Sequence, residues 1–317
     1  MVNTKGQICR SAWEEYLKDE NECELVVERE GDFYRIKGFD VLNLKATLYC
    51  GQAFRWKEVN GFDTGVVRGK LFRLRQDGDS LLVCDDCAQA DLDVLVNYLQ
   101  INRRHRIIED CLSSMDDVMT RAVSYSPGLR LVDQEPWECL ISYILSANNS
   151  IPLITRAIEK ISARWGCPIE SREGVFYSFP TPEQLADATE EELYDCKTGF
   201  RAKYVLGALS GVLSGEIDLE EIKTMDYPLA KESLMKIKGV GQKVSDCVLL
   251  FSMGKYDAFP VDIWIDRIVR YFYFDGAEVS KDEIRRWAEE KYGPLSGYAQ
   301  EYLFAYAREA VPDVLRK

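Results

Sequence analysis

The stretch that decides the fold spans residues 229–270 and reads LAKESLMKIKGVGQKVSDCVLLFSMGKYDAFPVDIWIDRIVR. Its first part predicts an amphipathic helix that ends near Ile237, and Gly239-Val240-Gly241 then interrupts the helical pattern. Two glycines permit a tight turn with backbone conformations that are closed to other residues. After the turn, apolar residues recur at three- and four-residue intervals, as on one face of a helix. We therefore expect a helix, a glycine hairpin and a second helix.

The predicted hairpin has features of a phosphate-binding site. Its amides, and the free N–H groups at the start of the second helix, would point outward and suit an anion. Residues 231–255 carry five lysines and two acids, so the local charge is +3 although the whole chain carries −13. The alternative is an ordinary helical packing unit with solvated lysines. Residue chemistry alone does not separate these two interpretations.

Two residues of this stretch are candidates for chemistry. Lys243 lies at the start of the second helix, where the positive end of the helix dipole disfavours the ammonium form and favours a nucleophilic amine. Asp262 follows 19 residues later, after an extended Ala258–Val261 link. The simpler role of Asp262 is to N-cap the helix that begins IWIDRIVRYF. One carboxylate can cap a helix and also face a cleft.

The rest of the chain divides into a strand-rich part and a helical part. Residues 24–85 alternate apolar and polar side chains between Asn60-Gly61 and Asp77-Gly78 turns, which predicts a small antiparallel sheet. From about residue 89 onward, apolar residues recur at helical spacing. We therefore predict an α+β fold with a sheet domain and flanking helices over residues 1–125. An all-helical helix-hairpin-helix domain would occupy residues 126–317, with the active-site cleft between helical subdomains.

Composition and charge narrow the classes of function. The chain has 317 residues, of which 46% are apolar, enough for two or three subdomains. Its net charge of −13 excludes a histone-like basic coat and predicts modest non-specific affinity for nucleic acid. No run approaches the 18 apolar residues of a membrane span. Ten scattered cysteines fit a reducing cytosol, and the single histidine, His105, argues against a zinc enzyme or a histidine-based triad.

Several motifs, in chain order, resemble those of one enzyme family. The hairpin IKGVGQKVSDC at 237–247, followed by Pro260-Val261-Asp262, resembles the signature of the helix-hairpin-helix DNA glycosylase superfamily. Four further motifs resemble those of the 8-oxoguanine DNA glycosylase/AP lyases: CGQAFRW at 50–56, SANN at 146–149, GFRAKY at 199–204 and GYAQEYLF at 297–304. The resemblance covers about residues 40–305, which is most of the chain.

The resemblance implies a bifunctional enzyme of base excision repair that extrudes a damaged nucleotide from duplex DNA. Lys243 would attack C1′ of the deoxyribose, expel 8-oxoguanine and form a Schiff base, and β-elimination would then break the strand. Asp262 would orient the lysine and stabilise the positive charge that develops on the sugar. Both residues of the motif are present at the matching positions.

The resemblance also implies contacts with the base and with the DNA. Gly51 would accept a hydrogen bond from N7–H of 8-oxoguanine, a donor that guanine lacks. Phe304 and Cys247 would sandwich the base, unless they are simply core residues, and Gln300 would lie at its Watson–Crick edge. The implied DNA contacts are Asn148, Phe200 and Arg201 at the gap left by the base, and Gly239, Val240, Gly241, Gln242 and Trp264 at the backbone.

The resemblance further implies what the enzyme binds besides the damaged base. The backbone carbonyls of Met235, Ile237 and Val240 would hold a monovalent cation, Na⁺ or K⁺, beside a phosphate. No other cofactor is expected, and because no cysteine follows Cys247 we expect no iron–sulfur cluster of the kind found in thymine-glycol and adenine-mismatch glycosylases. The expected partner is double-stranded DNA containing oxidised guanine, bound by a monomer away from membranes. The expected location is the bacterial cytoplasm, at the nucleoid.

Two positions depart from the pattern of the family's eukaryotic members. Those members usually have histidine at a DNA-phosphate contact two residues after the aspartate, where this chain has Trp264, which would serve by its indole N–H or by packing. They also carry an arginine that reads the orphaned cytosine, where this chain has Leu153. Because leucine cannot donate to cytosine, we predict a weaker preference for cytosine opposite the lesion. The alternative functions are a glycosylase for other damaged purines and a catalytically silent helix-hairpin-helix DNA-binding module.

Overall fold

The computed structural model describes residues 4–18 and 21–309; the outermost parts of the two predicted domains, 1–3 and 310–317, and residues 19–20 lie outside the described residues. The strands are β1 Val26–Glu30, β2 Phe33–Lys37, β3 Trp56–Val59, β4 Phe62–Val67, β5 Lys70–Asp77, β6 Ser80–Cys84, β7 Pro168–Ser171 and β8 Gly174–Tyr177. The helices are α1 Thr4–Tyr16, α2 Leu44–Tyr49, α3 Leu92–Leu99, α4 Arg106–Ser113, α5 Asp117–Tyr125, α6 Pro136–Ser146, α7 Ile151–Trp165, α8 Glu190–Asp195, α9 Ala202–Leu213, α10 Leu219–Thr224, α11 Tyr227–Met235, α12 Gln242–Ser252, α13 Ile263–Tyr273, α14 Lys281–Tyr292 and α15 Ser296–Glu309.

The first six strands form one antiparallel sheet in the order β1-β2-β6-β5-β4-β3. Asn60 and Gly61 join β3 to β4 with positive φ values of 50° and 79°, as a tight hairpin turn requires. One face of the sheet packs against α2 and α3 around buried Phe72, Leu74 and Leu95. The predicted antiparallel sheet is confirmed. The helix α2 leads directly into the loop of residues 50–55, which connects it to β3 and is called the Gly51 loop. This loop therefore belongs to the sheet domain.

Helices dominate the chain after β6, as the spacing of apolar residues predicts. The helices α1, α4 and α5 share one hydrophobic core with the C-terminal helices. The predicted domain boundary coincides with the end of α5, and the division into two domains stays a prediction. One correction concerns the all-helical description of the second part, because β7 and β8 form a small hairpin there. Each of these strands has only four residues, too few to show an alternating pattern.

The helix-hairpin-helix unit is present as predicted. The first helix, α11, ends two residues earlier than expected, and α12 begins at Gln242 with Gly241 as its N-cap. Gly239 has φ +95°, and a Cβ atom there would lie 2.5 Å from the ring of Tyr204, so both conformation and space require glycine. Asp262 caps α13, since its carboxylate accepts the amides of Trp264 at 2.9 Å and Ile265 at 2.8 Å.

A helix that spans a bilayer needs about 20 predominantly apolar residues. None of the helices within residues 4–18 and 21–309 is long and apolar enough to do so.

Candidate active site

A cavity of about 50 Å³ lies between the Gly51 loop and helices α6, α12 and α15. Apolar walls surround a few polar groups in it, as is usual for ligand-binding sites. Six residues singled out from the sequence meet here, namely both catalytic candidates and all four base-recognition candidates. The lining residues are Gly51, Tyr143, Lys243, Cys247, Phe251, Pro260, Asp262, Gln300, Glu301 and Phe304.

The wall formed by α12 carries Lys243, Cys247 and Phe251, which recur every four residues and therefore share one face of the helix. The Lys243 amine donates a hydrogen bond to the Ser146 hydroxyl at 3.2 Å. The same Nζ atom lies 4.9 Å from the centroid of the Tyr143 ring. Tyr143 in turn stacks on Phe251 with ring centroids 5.7 Å apart. The Lys243 amine therefore lies over the stacked rings of Tyr143 and Phe251, and the hydroxyl group of Ser146 holds it there.

Cys247 lies one helical turn beyond Lys243 and is 3% exposed. Burial raises the pKa of its thiol to about 12, against the opposing effect of the Lys243 ammonium. The thiol is therefore neutral at physiological pH, and it presents an uncharged, polarisable surface to the cavity. Such a surface suits the face of a flat aromatic base.

Asp262 lies across the cavity from α12, where it lines the wall and caps α13. Burial raises the pKa of its carboxyl group, while the amides of Ile265 and Trp264 and the Lys243 ammonium act in the opposite direction. The hydrogen bonds from these two backbone amides fix the orientation of the carboxylate. Capping and facing the lysine are therefore compatible roles.

The Gly51 loop closes another side of the cavity. Gly51 has φ +118°, and a Cβ atom there would approach Ile151 and Phe304 at 3.3 Å. The buried Gln52 side chain fixes the loop from below, since its Nε2 donates to the carbonyl of Arg130 at 2.8 Å and its Oε1 accepts the amide of Val132 at 2.9 Å. The backbone at Gly51 is consequently rigid and can approach a ligand closely.

The wall formed by α15 carries Gln300, Glu301 and Phe304. Gln300 is 4% exposed, and its Oε1 accepts no hydrogen bond from the described part of the chain. A buried acceptor without a partner is rare, and it is consistent with a ligand that brings a donor. The ring of Phe304 is only partly buried, with the Arg308 guanidinium 5.4 Å from its centroid. This wall offers one stacking surface and polar side-chain ends.

The predicted DNA-contact residues near the gap differ in exposure. Asn148 is exposed with φ +50°, and Phe200 is 53% exposed on a 3₁₀ turn. Arg201 is instead 7% exposed, and its guanidinium donates to the carbonyls of Ala147 and Asn148, each at 2.7 Å, and also to that of Thr198. In this arrangement Arg201 braces the turn that displays Asn148. Its contact with the orphaned base stays a prediction.

The predicted backbone contacts lie around the hairpin. Gly239 and Gly241 are exposed, whereas Val240 is buried. The side-chain oxygen of Gln242 accepts a hydrogen bond from Arg285. The backbone amide of Gln242 lies in the first turn of α12, where amides have no partner within the helix. Trp264 is half-buried and packs against the core, and its amide donates to Asp262. The contacts of these residues with DNA stay predictions.

Four cavity residues were not predicted as site residues, and two of them, Tyr143 and Glu301, carry polar groups. Tyr143 lies within PWECLISYILS, where an apolar helix gives a tyrosine the pattern of an ordinary core residue. Glu301 follows Gln300 directly, and the one available signal was an acid among otherwise apolar and neutral residues in GYAQEYLF. Both become visible only once α6 and α15 are packed around the cavity.

Family models match most of the chain. Residues 37–140 match the N-terminal domain of 8-oxoguanine DNA glycosylase, and residues 141–294 match the HhH-GPD superfamily of base excision DNA repair proteins. A probable N-glycosylase/DNA lyase of Methanothermobacter thermautotrophicus is 36% identical over 224 residues, which cover 64% of this chain and 71% of that protein. This chain belongs to the 8-oxoguanine DNA glycosylase/lyase family.

Other members of the family agree over greater lengths. The N-glycosylase/DNA lyase of Saccharomyces cerevisiae is 31% identical over 312 residues, covering 83% of each chain. The solved structure of the Clostridium acetobutylicum 8-oxoguanine glycosylase/lyase, in complex with double-stranded DNA containing cytosine opposite 8-oxoguanine, is 36% identical. It aligns with a TM-score of 0.86 over 90% of this chain and 98% of that one. The family and the enzyme class, an N-glycosylase/DNA lyase, are thereby confirmed.

In this glycosylase/lyase a buried charge network anchors the helix that carries Lys243. Asp246 is fully buried on α12, forms an ion pair with Lys231 at 2.7 Å, and accepts hydrogen bonds from Arg285 at 3.1 Å and the Tyr227 hydroxyl at 2.8 Å. These partners come from α11 and α14. The network therefore ties both helices to α12, and through Arg285 it also holds the side chain of Gln242.

We expect Asp246→Ala to lower the free energy of unfolding by about 3–5 kcal/mol, because it leaves two largely buried cations without their shared anion. Asp282→Ala is a matched control, since Asp282 pairs with the same Arg285 but its side chain is 66% exposed. That variant should lose at most about 1 kcal/mol. Urea denaturation followed by circular dichroism measures both, and equal losses would contradict the anchoring role.

Proposed function

We propose that this enzyme excises 8-oxoguanine from duplex DNA by Schiff-base chemistry at Lys243 and then nicks the strand by β-elimination. The observation that carries the proposal is the meeting of Lys243 and Asp262 in one cavity with Gly51, Gln300 and Phe304. The names of the family members support the substrate, since the Clostridium acetobutylicum protein is an 8-oxoguanine glycosylase/lyase.

The proposed reaction uses the Lys243 amine, which lies over the ring of Tyr143 in the cavity. The neutral Lys243 amine attacks C1′ of the extruded nucleotide, and the bond between C1′ and N9 breaks as the base leaves with a proton. The sugar opens to a Schiff base with Lys243. Loss of a proton from C2′ then breaks the bond between C3′ and its phosphate oxygen. The Asp262 carboxylate stabilises the positive charge that develops on the sugar. Hydrogen bonds from the backbone amides of Trp264 and Ile265 fix its orientation.

Base recognition in the proposal follows the lining of the cavity. The Gly51 carbonyl accepts N7–H of 8-oxoguanine, which distinguishes this base from guanine. The ring of Phe304 and the neutral thiol of Cys247 stack on its two faces. Gln300, whose Oε1 has no partner among the described residues, meets the donors of the Watson–Crick edge of the base. The rigidity of the Gly51 loop supports this assignment, because a loose carbonyl would discriminate poorly.

The DNA backbone in the proposal runs past the hairpin. Lys236 and Lys238 are exposed beside Gly239 and Gly241, which supports a phosphate site there. A monovalent cation would be held by the carbonyls of Met235, Ile237 and Val240. Met235 is the last residue of α11, so its carbonyl lies beyond the intrahelical ladder and fits a cation. The cation would neutralise a phosphate.

The proposed place of action is the bacterial cytoplasm, at the nucleoid. The similarity to the Clostridium acetobutylicum protein over almost the whole chain supports a bacterial setting. Duplex DNA as the partner supports the nucleoid.

Release of the free base tests the proposed substrate. Duplexes of one sequence, with either 8-oxoguanine or guanine opposite cytosine, are incubated with excess enzyme, and the released base is separated by chromatography. The proposal predicts release of 8-oxoguanine and at least about a hundredfold slower release of guanine, because guanine in the cavity would leave the Gly51 carbonyl unpaired. Equal rates, or release only of an alkylated purine offered in parallel, would contradict it.

Leu153 gives a prediction about the base opposite the lesion. Leu153 is 51% exposed on α7, close in sequence to Asn148. We expect Leu153→Arg to increase the preference for cytosine over adenine opposite 8-oxoguanine by about tenfold or more, because arginine can donate to cytosine. Leu213→Arg, at an exposed leucine on α9, adds the same charge elsewhere and should leave the preference unchanged. Equal discrimination by the unmodified enzyme and Leu153→Arg would count against this prediction.

A further inference from the structure

Glu301 is a buried carboxyl group in the cavity that the reaction described above does not use. It is 2% exposed and lies on α15 between Gln300 and Phe304, both of which line the same cavity. Its Oε1 atom has no hydrogen-bond partner within residues 4–18 and 21–309. Buried side-chain oxygens normally have a partner, because leaving one unpaired is unfavourable. Glu301 is therefore poised for a group that enters the cavity.

The groups that face Glu301 determine its protonation. They are the Arg308 guanidinium, the Lys243 amine, the Asp262 carboxyl, the Tyr143 hydroxyl and the thiols of Cys50 and Cys247. Burial raises the pKa of Glu301 to about 7; Asp262 adds to this effect, and Cys50, Arg308 and Lys243 oppose it. Glu301 is thus largely a neutral carboxylic acid below pH 7, and in that form its hydroxyl can donate a hydrogen bond.

We propose that protonated Glu301 is a fifth base-recognition residue, which donates a hydrogen bond to a carbonyl oxygen of the extruded oxidised base. The proposal rests on the function proposed above and extends it to the protonation state of the pocket. A purine oxidised as 8-oxoguanine carries carbonyl oxygens at C6 and C8, so it offers an acceptor at two of its edges. An ionised Glu301 could only accept hydrogen bonds, and it would repel the same oxygen.

This role makes base excision depend on pH in a defined direction. The donor is present below the pKa of Glu301 and is lost as the pH rises through it. Between pH 7 and 8.5 the protonated fraction of a group with a pKa of about 7 falls on the order of tenfold. Cleavage at an abasic site involves no base in the cavity, so it should lack this alkaline decrease.

The test compares the full-length enzyme with Glu301→Gln and Glu301→Leu from pH 5.5 to 9. Each protein is assayed in single turnover on a duplex with 8-oxoguanine and on a matched duplex with an abasic site. Glutamine keeps an N–H donor but cannot ionise, so Glu301→Gln should lose the alkaline decrease in base release and exceed the unmodified enzyme above pH 8. Leucine cannot donate, so Glu301→Leu should release the base slowly at every pH.

The outcomes separate this proposal from the function on which it rests. An alkaline decrease of about tenfold on 8-oxoguanine but not on the abasic duplex supports the role of Glu301, and this comparison needs no variant. The same decrease in Glu301→Gln, or on the abasic duplex, would overturn it while leaving 8-oxoguanine as the substrate. Failure to release 8-oxoguanine at any pH, with abasic cleavage intact, would overturn the proposed substrate and this proposal with it.

Discussion

Lys243→Gln is expected to abolish base release and strand cleavage together, by on the order of 10⁴-fold or more. The amine is the proposed nucleophile in the first step and the proposed anchor of the Schiff base in the second, so one substitution removes both. Of the described residues that line the cavity, Lys243 alone carries an amine. Glutamine is uncharged and one bond shorter than lysine, so it fits the same space and the loss should be chemical. Single-turnover base release and strand cleavage measure the two steps separately.

Lys255→Gln is the matched control for this experiment. Lys255 lies beyond the C-terminal end of α12, opposite the end that follows the hairpin, and it does not line the cavity. The substitution removes the same charge and should change either rate little. Base release that survives in Lys243→Gln would contradict the Schiff-base mechanism, whatever happens to strand cleavage.

Asp262→Asn is expected to slow base release by about 10²- to 10³-fold while leaving the fold almost as stable. Asparagine caps helices as well as aspartate does, so the amides of Trp264 and Ile265 keep an acceptor. It has no charge with which to stabilise a cationic sugar. Asp262→Ala should lose the charge and also about 1 kcal/mol of stability, because the cap is gone. Single-turnover kinetics and thermal unfolding together distinguish the two roles.

The protonation of Asp262 adds a test in the acid range. Burial raises the pKa of this carboxyl group, so the catalytically useful anion is lost at a higher pH than for an ordinary aspartate. Base release should therefore fall as the pH falls through that raised pKa, and it should be restored as the pH rises. Asp262→Asn should show a flat profile in the same range. An acid decrease of equal size in the asparagine variant would assign the titration to another group.

The hairpin and the cap could be predicted from the sequence because short-range chemistry determines them. Gly239 needs a positive φ and tight space beside Tyr204, and only glycine meets both conditions. Asp262 caps the helix that it precedes, which requires no knowledge of the rest of the fold. The six cavity residues were then found by resemblance of motifs that lie far apart in the chain. No local pattern in the sequence would have brought Gly51 and Phe304 together.

The remaining features depend on tertiary packing, which residue patterns do not show. Arg201 was predicted to contact the orphaned base, and that contact stays a prediction; its guanidinium also donates to backbone carbonyls that only the folded chain brings near. The sequence pattern around Tyr143 is that of an ordinary core residue, and only the folded chain brings the Lys243 amine over its ring. Glu301 had the pattern of a surface acid on a helix, and its burial follows from the packing of α15 against the Gly51 loop.

Chemical trapping tests the central claim most directly. The enzyme is mixed with an 8-oxoguanine duplex in the presence of borohydride, which reduces a Schiff base to a stable secondary amine, and the adduct is digested for mass spectrometry. We predict a covalent protein–DNA adduct whose modified peptide carries the DNA at Lys243, and no adduct with Lys243→Gln. Base release without any trapped adduct, or an adduct at another residue, would contradict the account.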